Sequence, residues 1–232
     1  MVSISKTYLD EIAAKALLEA YGISTPNGIR IDEEKLDLSQ LDRLRGPWAV
    51  KIISPDIKHK SDGGYVALSL RDTAQVETEI RRMKSLADES GHRTEGFLVE
   101  EMAAPGIEVI VGGFVDPCFG PAVMFGIGGV FVEVLRDIAF RVCPLTCFDA
   151  GEMIDELAGR EVFDSVRGGV NVERQTLVNL ILAVGGEDGI MLDHKEPIVE
   201  IDLNPVIVRH NSATAVDALV ILDTKESNYE YL

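Results

Sequence analysis

The chain has 232 residues, of which 46% are hydrophobic, and this is enough for one large domain or for two small domains that share a cleft. Its net charge is −17, from 39 acidic and 22 basic residues. Nucleic-acid backbones and anionic membranes are therefore poor partners for the surface as a whole. No stretch approaches the roughly 20 consecutive apolar residues that span a bilayer. Composition thus predicts neither a nucleic-acid partner nor a membrane partner.

The N-terminal segment has no apolar signal-peptide core, and its helical spacing predicts a helix over Lys6–Tyr21 that ends at Gly22. The three cysteines are Cys118, Cys143 and Cys147. An odd number of cysteines without a secretion signal favours reduced thiols and a cytoplasmic location. Cys143 and Cys147 could suggest a metal pair, but no second pair or nearby histidine accompanies them, so we interpret them as buried or incidental thiols.

The other elements follow from periodicity and from turn residues. Asp72-x-x-Gln75 resembles a capping box and opens a predicted helix that ends near Ser90, and further helices are predicted over 149–159 and 172–184. The predicted strands are Trp48–Ile53, Tyr65–Leu70, Gly96–Met102, Ile107–Val115, Ala122–Phe125, Val130–Leu135, Ile198–Leu203, Val206–Val208 and Ala215–Leu222. Gly126–Gly129 is followed by a strand pattern, so it is interpreted as a turn and not as a dinucleotide-binding motif. These elements predict an α+β fold with two lobes, residues 1–100 and 101–232.

The stretch from Lys51 to Gly64, KIISPDIKHKSDGG, carries the strongest chemical signal. A strand lysine followed by a cationic loop with Gly63 and Gly64 is one way to hold a polyphosphate, because the lysine supplies charge and glycines let backbone N–H groups approach oxygens. His59 has an unperturbed pKa near neutrality and can accept a phosphoryl group. The Walker pattern is absent, so this is not a P-loop. A charged surface loop is the alternative interpretation of this stretch alone.

A second group of polar residues lies near the end of the chain. Asp202 and Asn204 are two positions apart on a predicted strand, so both should point to one face. Asp217 is a single carboxylate within an apolar run, which costs free energy unless the group is paired or binds a metal. Asp and Asn oxygens suit Mg²⁺, which keeps waters and shares phosphate oxygens. An Asn-Pro turn plus an edge-strand aspartate is the alternative.

A third signal is the end of the predicted strand at Glu100, Glu101 and Met102. Such a hinge between two lobes can present backbone groups to an adenine edge, with the methionine against the ring. Glu108, on the next strand, could then reach a ribose. Taken alone, this segment is equally a buried strand with a charged end.

Together these residues resemble the separate β subunit of archaeal ADP-forming acyl-CoA (acetyl-CoA) synthetases. The resemblance covers nearly the whole chain in ordered motifs, which lie at 51–64, 100–102, 106–113, 119–129, 133–137 and 202–205. It implies an ATP-grasp fold, related to the β subunit of succinyl-CoA synthetase, with the nucleotide in the cleft between two lobes.

The resemblance also implies a role for each matched residue. Lys51 corresponds to the lysine on the nucleotide phosphates, and His59 to a phosphoryl relay. The remaining implied sites are the phosphate lid at Ser61, Asp62, Gly63 and Gly64, the adenine hinge at Glu100, Glu101 and Met102, the acidic ATP-site residue Glu108, and the Mg²⁺ ligands Asn204 and Asp217 with Asp202 nearby.

The implied activity is that of one subunit of a ligase, in which acyl-CoA, ADP and phosphate give acid, ATP and CoA reversibly. The chain contains nothing like a CoA-binding module or a phosphohistidine loop, so the resemblance implies a CoA-binding α subunit that carries this loop, in an α2β2 complex. Two alternatives stay open: a subunit of another ATP-grasp ligase of succinyl-CoA synthetase type, and a non-catalytic ATP-binding regulatory domain. The preferred acid is not determined.

Overall fold

The computed structural model describes residues 6–57, 60, 63–129, 137–164, 171–194 and 197–223. Numbered in chain order, the strands are β1 (Lys6–Tyr8), β2 (Gly28–Ile31), β3 (Trp48–Ile53), β4 (Val66–Leu70), β5 (Gly96–Glu101), β6 (Ile107–Asp116), β7 (Gly120–Ile127), β8 (Ile138–Val142), β9 (Ile198–Arg209), β10 (Ser212–Ala215) and β11 (Leu219–Asp223). The helices are α1 (Glu11–Ala20), α2 (Thr73–Glu89), α3 (Cys147–Glu156), α4 (Arg174–Gly185) and α5 (Ile190–Asp193), with short 3₁₀ helices at Leu38–Arg43 and Arg160–Phe163. The mixture of helices and antiparallel sheets confirms the predicted α+β class.

The described residues form two compact units. The smaller unit contains residues 10–12 and 25–104, and the larger unit contains residues 6–9, 13–24 and 105–223. The sequence-based division at residue 100 placed the whole N-terminal segment in the first lobe. Here residues 13–24 belong to the larger unit, because Ala14 and Leu18 of α1 are buried in its core.

The smaller unit is a sheet of four antiparallel strands in the order β2-β5-β3-β4. Helix α2 packs against β3 and β4 and buries Val76, Ile80, Met83 and Ala87 on one stripe, as its helical spacing requires. The predicted strand Trp48–Ile53 is confirmed with the same bounds. It pairs along its whole length with β5, from Trp48 opposite Glu101 to Ile53 opposite Gly96.

The predicted capping box of α2 is half right. Asp72 is the N-cap, and its carboxylate accepts a hydrogen bond from Gln75 N at 2.8 Å. The Gln75 side chain, however, accepts from Arg71 N at 2.9 Å instead of from the N-cap amide. The helix ends where predicted, because Ser90 is the C-cap and Gly91 has a φ of 72°, which favours glycine.

In the larger unit, the described strands form one antiparallel sheet in the order β1-β11-β9-β6-β7-β8, and β10 pairs with β9. Helices α1, α3 and α4 contribute to a core under one face of this sheet, where Val109, Val111, Phe125, Ile201 and Leu203 are buried. The opposite face of β6 and β9 therefore carries the alternate residues of those strands, because side chains alternate along a strand.

Two predictions at the N-terminus and the C-terminus are wrong. The predicted helix Lys6–Tyr21 is shorter, because residues 6–8 pair with β11 as β1 and the helix begins only at Glu11. The predicted strand Ala215–Leu222 is two strands, β10 and β11, so Asp217 lies in the segment between them. In the first case, pairing with a strand near the other end of the chain overrides the local helical pattern.

The break predicted between the strands Ile198–Leu203 and Val206–Val208 is observed as a bulge, because the two are one strand whose pairing with β6 is interrupted at Asn204 and Pro205. Strand β9 continues through Asn204 and Pro205, and its pairing with β6 is irregular only between Val109 and Val111. Within this bulge one extra residue of β9 is accommodated, so that Leu203 and Val206 both face the core.

The turn predicted at Gly126–Gly129 is partly described. Strand β7 ends at Ile127, and Gly128 N donates to Glu108 O at 2.7 Å, which secures the chain leaving the strand against β6. The predicted strand Val130–Leu135 lies outside the described residues. In the part of the chain that the structure describes, no helix is long and apolar enough to cross a membrane.

Candidate functional site

Lys51 is buried in the middle of the smaller sheet, with Val66 of β4 on one side and Leu98 of β5 on the other. Only 5% of the residue is exposed. Its Nζ lies 2.5 Å from Glu11 Oε1 and 3.0 Å from Glu100 Oε2. An ammonium at this depth requires such partners, because an unpaired buried charge is costly.

Glu11 also pairs with a second lysine. While Oε1 of Glu11 faces Lys51, its Oε2 forms an ion pair with Lys60 Nζ. The exposed fractions of Glu11 and Glu100 are 4% and 2%, so the interior of this unit holds two carboxylates against two ammonium groups. We refer to Glu11, Lys51, Lys60 and Glu100 as the lysine–glutamate cluster. The sequence analysis missed Glu11, since an acidic residue in the first helical turn is commonly explained by the helix dipole.

Small neighbours make room for the buried carboxylate of Glu100. On β5 this residue lies directly opposite Gly28 of β2 and Ala49 of β3. A Cβ at position 28 would come within 2.9 Å of Glu100 Cγ. Gly28 and Ala49 therefore leave space for a charged side chain in the middle of a sheet. Because Glu100 uses this space to pair with Lys51, it is more than the charged end of a strand.

The loop between β3 and β4 is described only in part. His59, Ser61 and Asp62, which the sequence analysis assigned to phosphoryl transfer and to the phosphate lid, lie outside the described residues. Of the rest, Lys60 O accepts from Tyr65 N at 2.9 Å. Gly64 has a φ of 75°, and its carbonyl accepts from Arg82 Nη2 at 2.8 Å. Arg82, on α2, thus supports the backbone at Gly64, a contact that the sequence pattern did not reveal.

The predicted adenine hinge has several of its polar groups already engaged. Glu101 Oε1 accepts from Arg45 N at 2.8 Å, and Oε2 accepts from Asn27 Nδ2 at 3.1 Å. The amide of Glu101 donates to Asn27 O, and that of Met102 donates to Pro47 O. A base bound here would therefore have to use carbonyl oxygens or the Met102 thioether instead of these two amides.

In the larger unit, two of the predicted metal ligands, Asp202 and Asn204, lie on the face of the sheet that is turned away from its core. Ile201 and Leu203 are buried in the core, so Asp202 and Asn204 project from the opposite face of β9. Asp202 is half-buried and Asn204 is exposed. The prediction that both residues share one face is confirmed by this alternation.

Asp217 comes next to these residues through the backbone. Val216 N donates to Pro205 O at 3.1 Å, which places the segment between β10 and β11 beside the Asn204–Pro205 step. The buried Lys15 donates from Nζ to Val216 O at 3.0 Å and so secures the residue before Asp217. The Asp217 carboxylate is half-buried and accepts from Ala218 N at 3.0 Å. Asp217 was singled out as a carboxylate inside an apolar strand. The structure places it in a loop instead, so that reason is wrong.

This donor set fits Mg²⁺ chemically. Carboxylate and amide oxygens are the ligands that this cation prefers, and it commonly takes only one or two carboxylates from the protein, the rest being water and phosphate. Among the described residues, no three His, Cys, Asp or Glu side chains are grouped closely enough to hold a metal ion. A cation here would therefore depend on Asn204 and on phosphate oxygens as well as on Asp202 and Asp217.

Glu108 is exposed at the start of β6. Its neighbour Val109 is in the core, so Glu108 points to the opposite side of β6. Gly112 lies on this same side, and it pairs with Asp202 of β9. Glu108 therefore lies on the same face of the sheet as Asp202. Its carboxylate approaches Gly129, where an added Cβ would be 3.4 Å from Glu108 Oε2. We call Glu108, Asp202, Asn204 and Asp217 the polar face.

The three cysteines are free thiols. Cys118 and Cys147 are exposed, whereas burial raises the pKa of the half-buried Cys143 thiol to about 11. Cys143 is therefore protonated at neutral pH and poorly nucleophilic. The cytoplasmic location inferred from these thiols stays a prediction.

Comparison with known proteins places these features in a family. The sequence profile of the ATP-grasp domain matches residues 2–222. The β subunit of acetate–CoA ligase [ADP-forming] I from Pyrococcus furiosus is 39% identical over 218 residues, covering 92% of this chain and 91% of that protein. The acetate–CoA ligase [ADP-forming] II of Archaeoglobus fulgidus is 36% identical over 93% of this chain, which corresponds to 30% of that longer protein.

A solved structure agrees with these sequence matches. The dinucleotide-forming acetyl-coenzyme A synthetase 1 of Candidatus Korarchaeum cryptofilum, determined in complex with coenzyme A and Ca-AMPCP, superposes with a TM-score of 0.85. Its sequence is 37% identical, and the match covers 93% of both chains. The predicted ATP-grasp fold is therefore confirmed.

Proposed function

Because this chain belongs to the ATP-grasp β subunits of ADP-forming acetate–CoA ligases, we propose that it binds Mg-ADP and Mg-ATP and transfers a phosphoryl group between nucleotide and histidine. The observation that carries the proposal is the similarity to such β subunits along 92% of the chain. The buried strand lysine with its two glutamate partners supports it. The same similarity favours this function over a non-catalytic ATP-binding domain and over a subunit of succinyl-CoA synthetase type.

The proposed net reaction converts acyl-CoA, ADP and phosphate into acid, ATP and CoA. Phosphate first displaces CoA to give an acyl phosphate. A histidine nitrogen then takes the phosphoryl group and releases the acid, and the β-phosphate of ADP finally takes it from the histidine to give ATP. A histidine intermediate divides the transfer into steps that can occur at separate places. Relatives named for acetate and for 4-hydroxybutyrate leave the acid of this chain unassigned.

Lys51 neutralises the nucleotide phosphates in this proposal. Phosphoryl transfer depends mainly on positioning and on the neutralisation of charge, and a buried ammonium is effective in both. Glu11 and Glu100 hold Lys51 Nζ in place from two sides. The backbone of Gly63 and Gly64 is proposed to approach the same phosphates as a lid.

Mg²⁺ is proposed to be held by Asn204 and Asp217, with Asp202 nearby. When bound, the cation neutralises charge on the nucleotide oxygens. Asn204 contributes an amide oxygen from β9, and Asp217 contributes a carboxylate that Ala218 N orients. Glu108 is proposed to contact the ribose hydroxyls. Glu100, Glu101 and Met102 are proposed as the adenine hinge, with Glu100 acting through Lys51 because its carboxylate is paired there.

His59 is proposed as the phosphoryl carrier of this chain. The proposal comes from its residue type and from its place in the motif that the family shares. Two structures of the relative from Candidatus Korarchaeum cryptofilum are described with a phosphohistidine segment, phosphorylated in one and pointing towards the nucleotide-binding site in the other. That segment supports histidine as the carrier chemistry of the family, and the labelling experiment below tests whether His59 of this chain carries the group as well.

The proposed partner is a CoA-binding α subunit that carries the phosphohistidine loop. Two relatives from Pyrococcus furiosus are named as β subunits, and in Archaeoglobus fulgidus the matching region is 30% of a longer ligase. This chain would thus supply the nucleotide half of the reaction, and the partner would supply the CoA half. An α2β2 stoichiometry is part of the proposal.

The experiment uses the chain alone and together with co-purified α subunit. We expect the chain alone to bind Mg-ADP but to form no acyl-CoA, and we expect His59→Ala to abolish turnover of the complex while nucleotide still binds. With γ-labelled ATP, the wild-type complex should carry acid-labile, base-stable label on this chain. His210→Ala, an exposed histidine of the larger unit, is the control and should keep both activity and label.

Two results would contradict parts of this proposal. Label confined to the partner would remove His59 as a carrier and leave it an orienting role. Complete acyl-CoA synthesis by the purified single chain would overturn the division of labour between two subunits.

A further inference from the structure

The two oxygens of Glu11 each face a different lysine. Oε1 is 2.5 Å from Lys51 Nζ, and Oε2 forms an ion pair with Lys60 Nζ. Lys51 belongs to the rigid centre of the sheet, whereas Lys60 belongs to the loop between β3 and β4. The carboxylate of Glu11 therefore holds Lys60, in the loop, beside Lys51, on the strand.

The burial of this arrangement is expensive. The exposed fractions of the side chains of Lys51, Lys60 and Glu11 are 7%, 12% and 1%. Removing ion pairs from water commonly costs as much as their attraction returns, so such a cluster is a poor device for stability alone. A cluster that gives little stability is better explained by the position in which it holds its charges.

The positions of the charges favour an anionic ligand. Glu11 is the more deeply buried partner in each pair, and both lysine side chains are the more exposed ones. A ligand that reaches the cluster from the solvent side would therefore meet ammonium groups before carboxylates. Two adjacent ammonium groups complement a chain of phosphates better than a single negative charge.

We propose that Lys60 is a second phosphate-binding cation for the nucleotide, and that Glu11 is the positioning residue that holds it beside Lys51. This rests on the proposed function, because the nucleoside diphosphate of that function is the polyphosphate in question. Lys60 contacts the phosphates, whereas Glu11 acts only through the lysines. The competing explanation is that the Glu11–Lys60 pair merely ties the loop to the first turn of α1.

The test is isothermal titration of the full chain with Mg-ADP and, separately, with adenosine. Lys60→Met should weaken Mg-ADP binding about tenfold or more, the usual loss for a charge-assisted contact, and leave adenosine binding unchanged. Lys60→Arg, which keeps the charge, should recover most of the affinity. Urea unfolding of each variant establishes that it is folded under the conditions of the titration.

Glu11 is tested by a double-mutant cycle. Glu11→Gln should weaken Mg-ADP binding in the wild-type background, and this loss should be smaller in the Lys60→Met background, because one of the two lysines through which it acts is then absent. Lys84→Met and Glu33→Gln are matched controls, since they disrupt a Lys–Glu pair of the same unit that is partly exposed. Neither control should alter Mg-ADP affinity.

The outcomes separate this proposal from the one on which it rests. If the wild-type chain fails to bind Mg-ADP, the proposed function and this inference are both overturned. If it binds and Lys60→Met changes the affinity less than twofold while lowering stability, Lys60 is only a structural tie. Equal losses from Glu11→Gln in both backgrounds would show that Glu11 does not act through Lys60.

Discussion

The two units hold their charged residues in opposite ways. In the smaller unit, the side chains of the lysine–glutamate cluster are largely buried, and its cations pair with its anions. In the larger unit, the polar face is turned away from the core, Asn204 and Glu108 are exposed, and none of its members is basic. Within the described residues, the side chains of Asn204 and Glu108 make no hydrogen bond to the protein.

This difference determines whether removing a charged residue should affect stability and ligand binding together or ligand binding alone. A buried charge contributes to the fold through its partners, so removing it affects the fold and any ligand together. A polar group on an exposed face can be removed with little effect on unfolding, because water replaces what it contacts. The smaller unit should therefore show coupled losses of binding and stability, and the larger unit should lose binding alone.

The largest expected effect is that of Lys51→Met. This change removes one lysine from each of two buried carboxylates, those of Glu11 and Glu100. Breaking a buried ion pair from one side typically costs about 3–5 kcal/mol, so the free energy of unfolding in urea should fall by about that amount. Mg-ADP affinity should fall as well. From the sequence alone we would expect loss of affinity without loss of stability, and the buried partners are the reason for the revision.

A double variant separates the two effects. Lys51→Met with Glu100→Gln also removes the charge of a carboxylate that Lys51 neutralised, so part of the stability should return while Mg-ADP affinity stays low. Lys84→Met is the control for loss of a partly exposed lysine. An unfolding free energy for Lys51→Met that equals the wild-type value would mean that the cluster contributes nothing to the fold.

The polar face should respond differently. Asp217→Ala should reduce Mg-ADP affinity about tenfold or more, because a charged oxygen ligand is lost, while the free energy of unfolding changes by about 0.5 kcal/mol. Calorimetry with and without Mg²⁺ and urea unfolding measure the two quantities. Asp188→Ala, an exposed aspartate of the same unit, is the matched control. An unchanged Mg-ADP affinity in Asp217→Ala would remove this residue from the metal site.

The smallest effect concerns an exposed ion pair in the smaller unit. Hydrogen bonds from Arg93 lower the pKa of Asp56 to about 2. The folded pKa lies below the unfolded one of about 3.9, so the pair stabilises the fold above pH 4 and this contribution is lost as the pH falls towards 2. An NMR titration of the Asp56 carboxyl group measures its pKa directly.

Because Asp56 is at the surface, this contribution is small, and thermal unfolding should change only slightly on its account as the pH falls from 4 to 2. Arg93→Ala should return the pKa of Asp56 towards its usual value with little loss of stability. A loss as large as that of Lys51→Met would contradict the distinction between buried and exposed ion pairs on which the comparison rests.

Local pattern was sufficient for the central elements of both units. Trp48–Ile53 was predicted with the observed bounds because an apolar, β-branched run follows Pro47. The alternation of Ile201, Asp202, Leu203 and Asn204 was sufficient to place the two polar side chains on one face. The start of α2 was predictable because Asp72 satisfies an amide of the first helical turn through its own side chain.

Contacts between distant residues were not predictable in this way. Glu11 and Lys51 are 40 positions apart, and Glu11 and Lys60 are 49 apart. A glutamate in the first turn of a helix carries the same local signal whether it faces solvent or a buried lysine. The same limit explains β1, which exists because residues 6–8 pair with β11 near the other end of the chain.

The sequence by itself determined the strand that carries Lys51 and the face of β9, because each depends on residue types at short spacing. It also determined the family, and with it the fold class, through ordered motifs along nearly the whole chain. The tertiary structure decided which carboxylates neutralise Lys51, that Asp217 lies in a loop beside Pro205, and that β9 continues through Asn204 and Pro205. The physical reason is that ion pairing and strand pairing depend on distance in space, and only the folded chain brings these residues together.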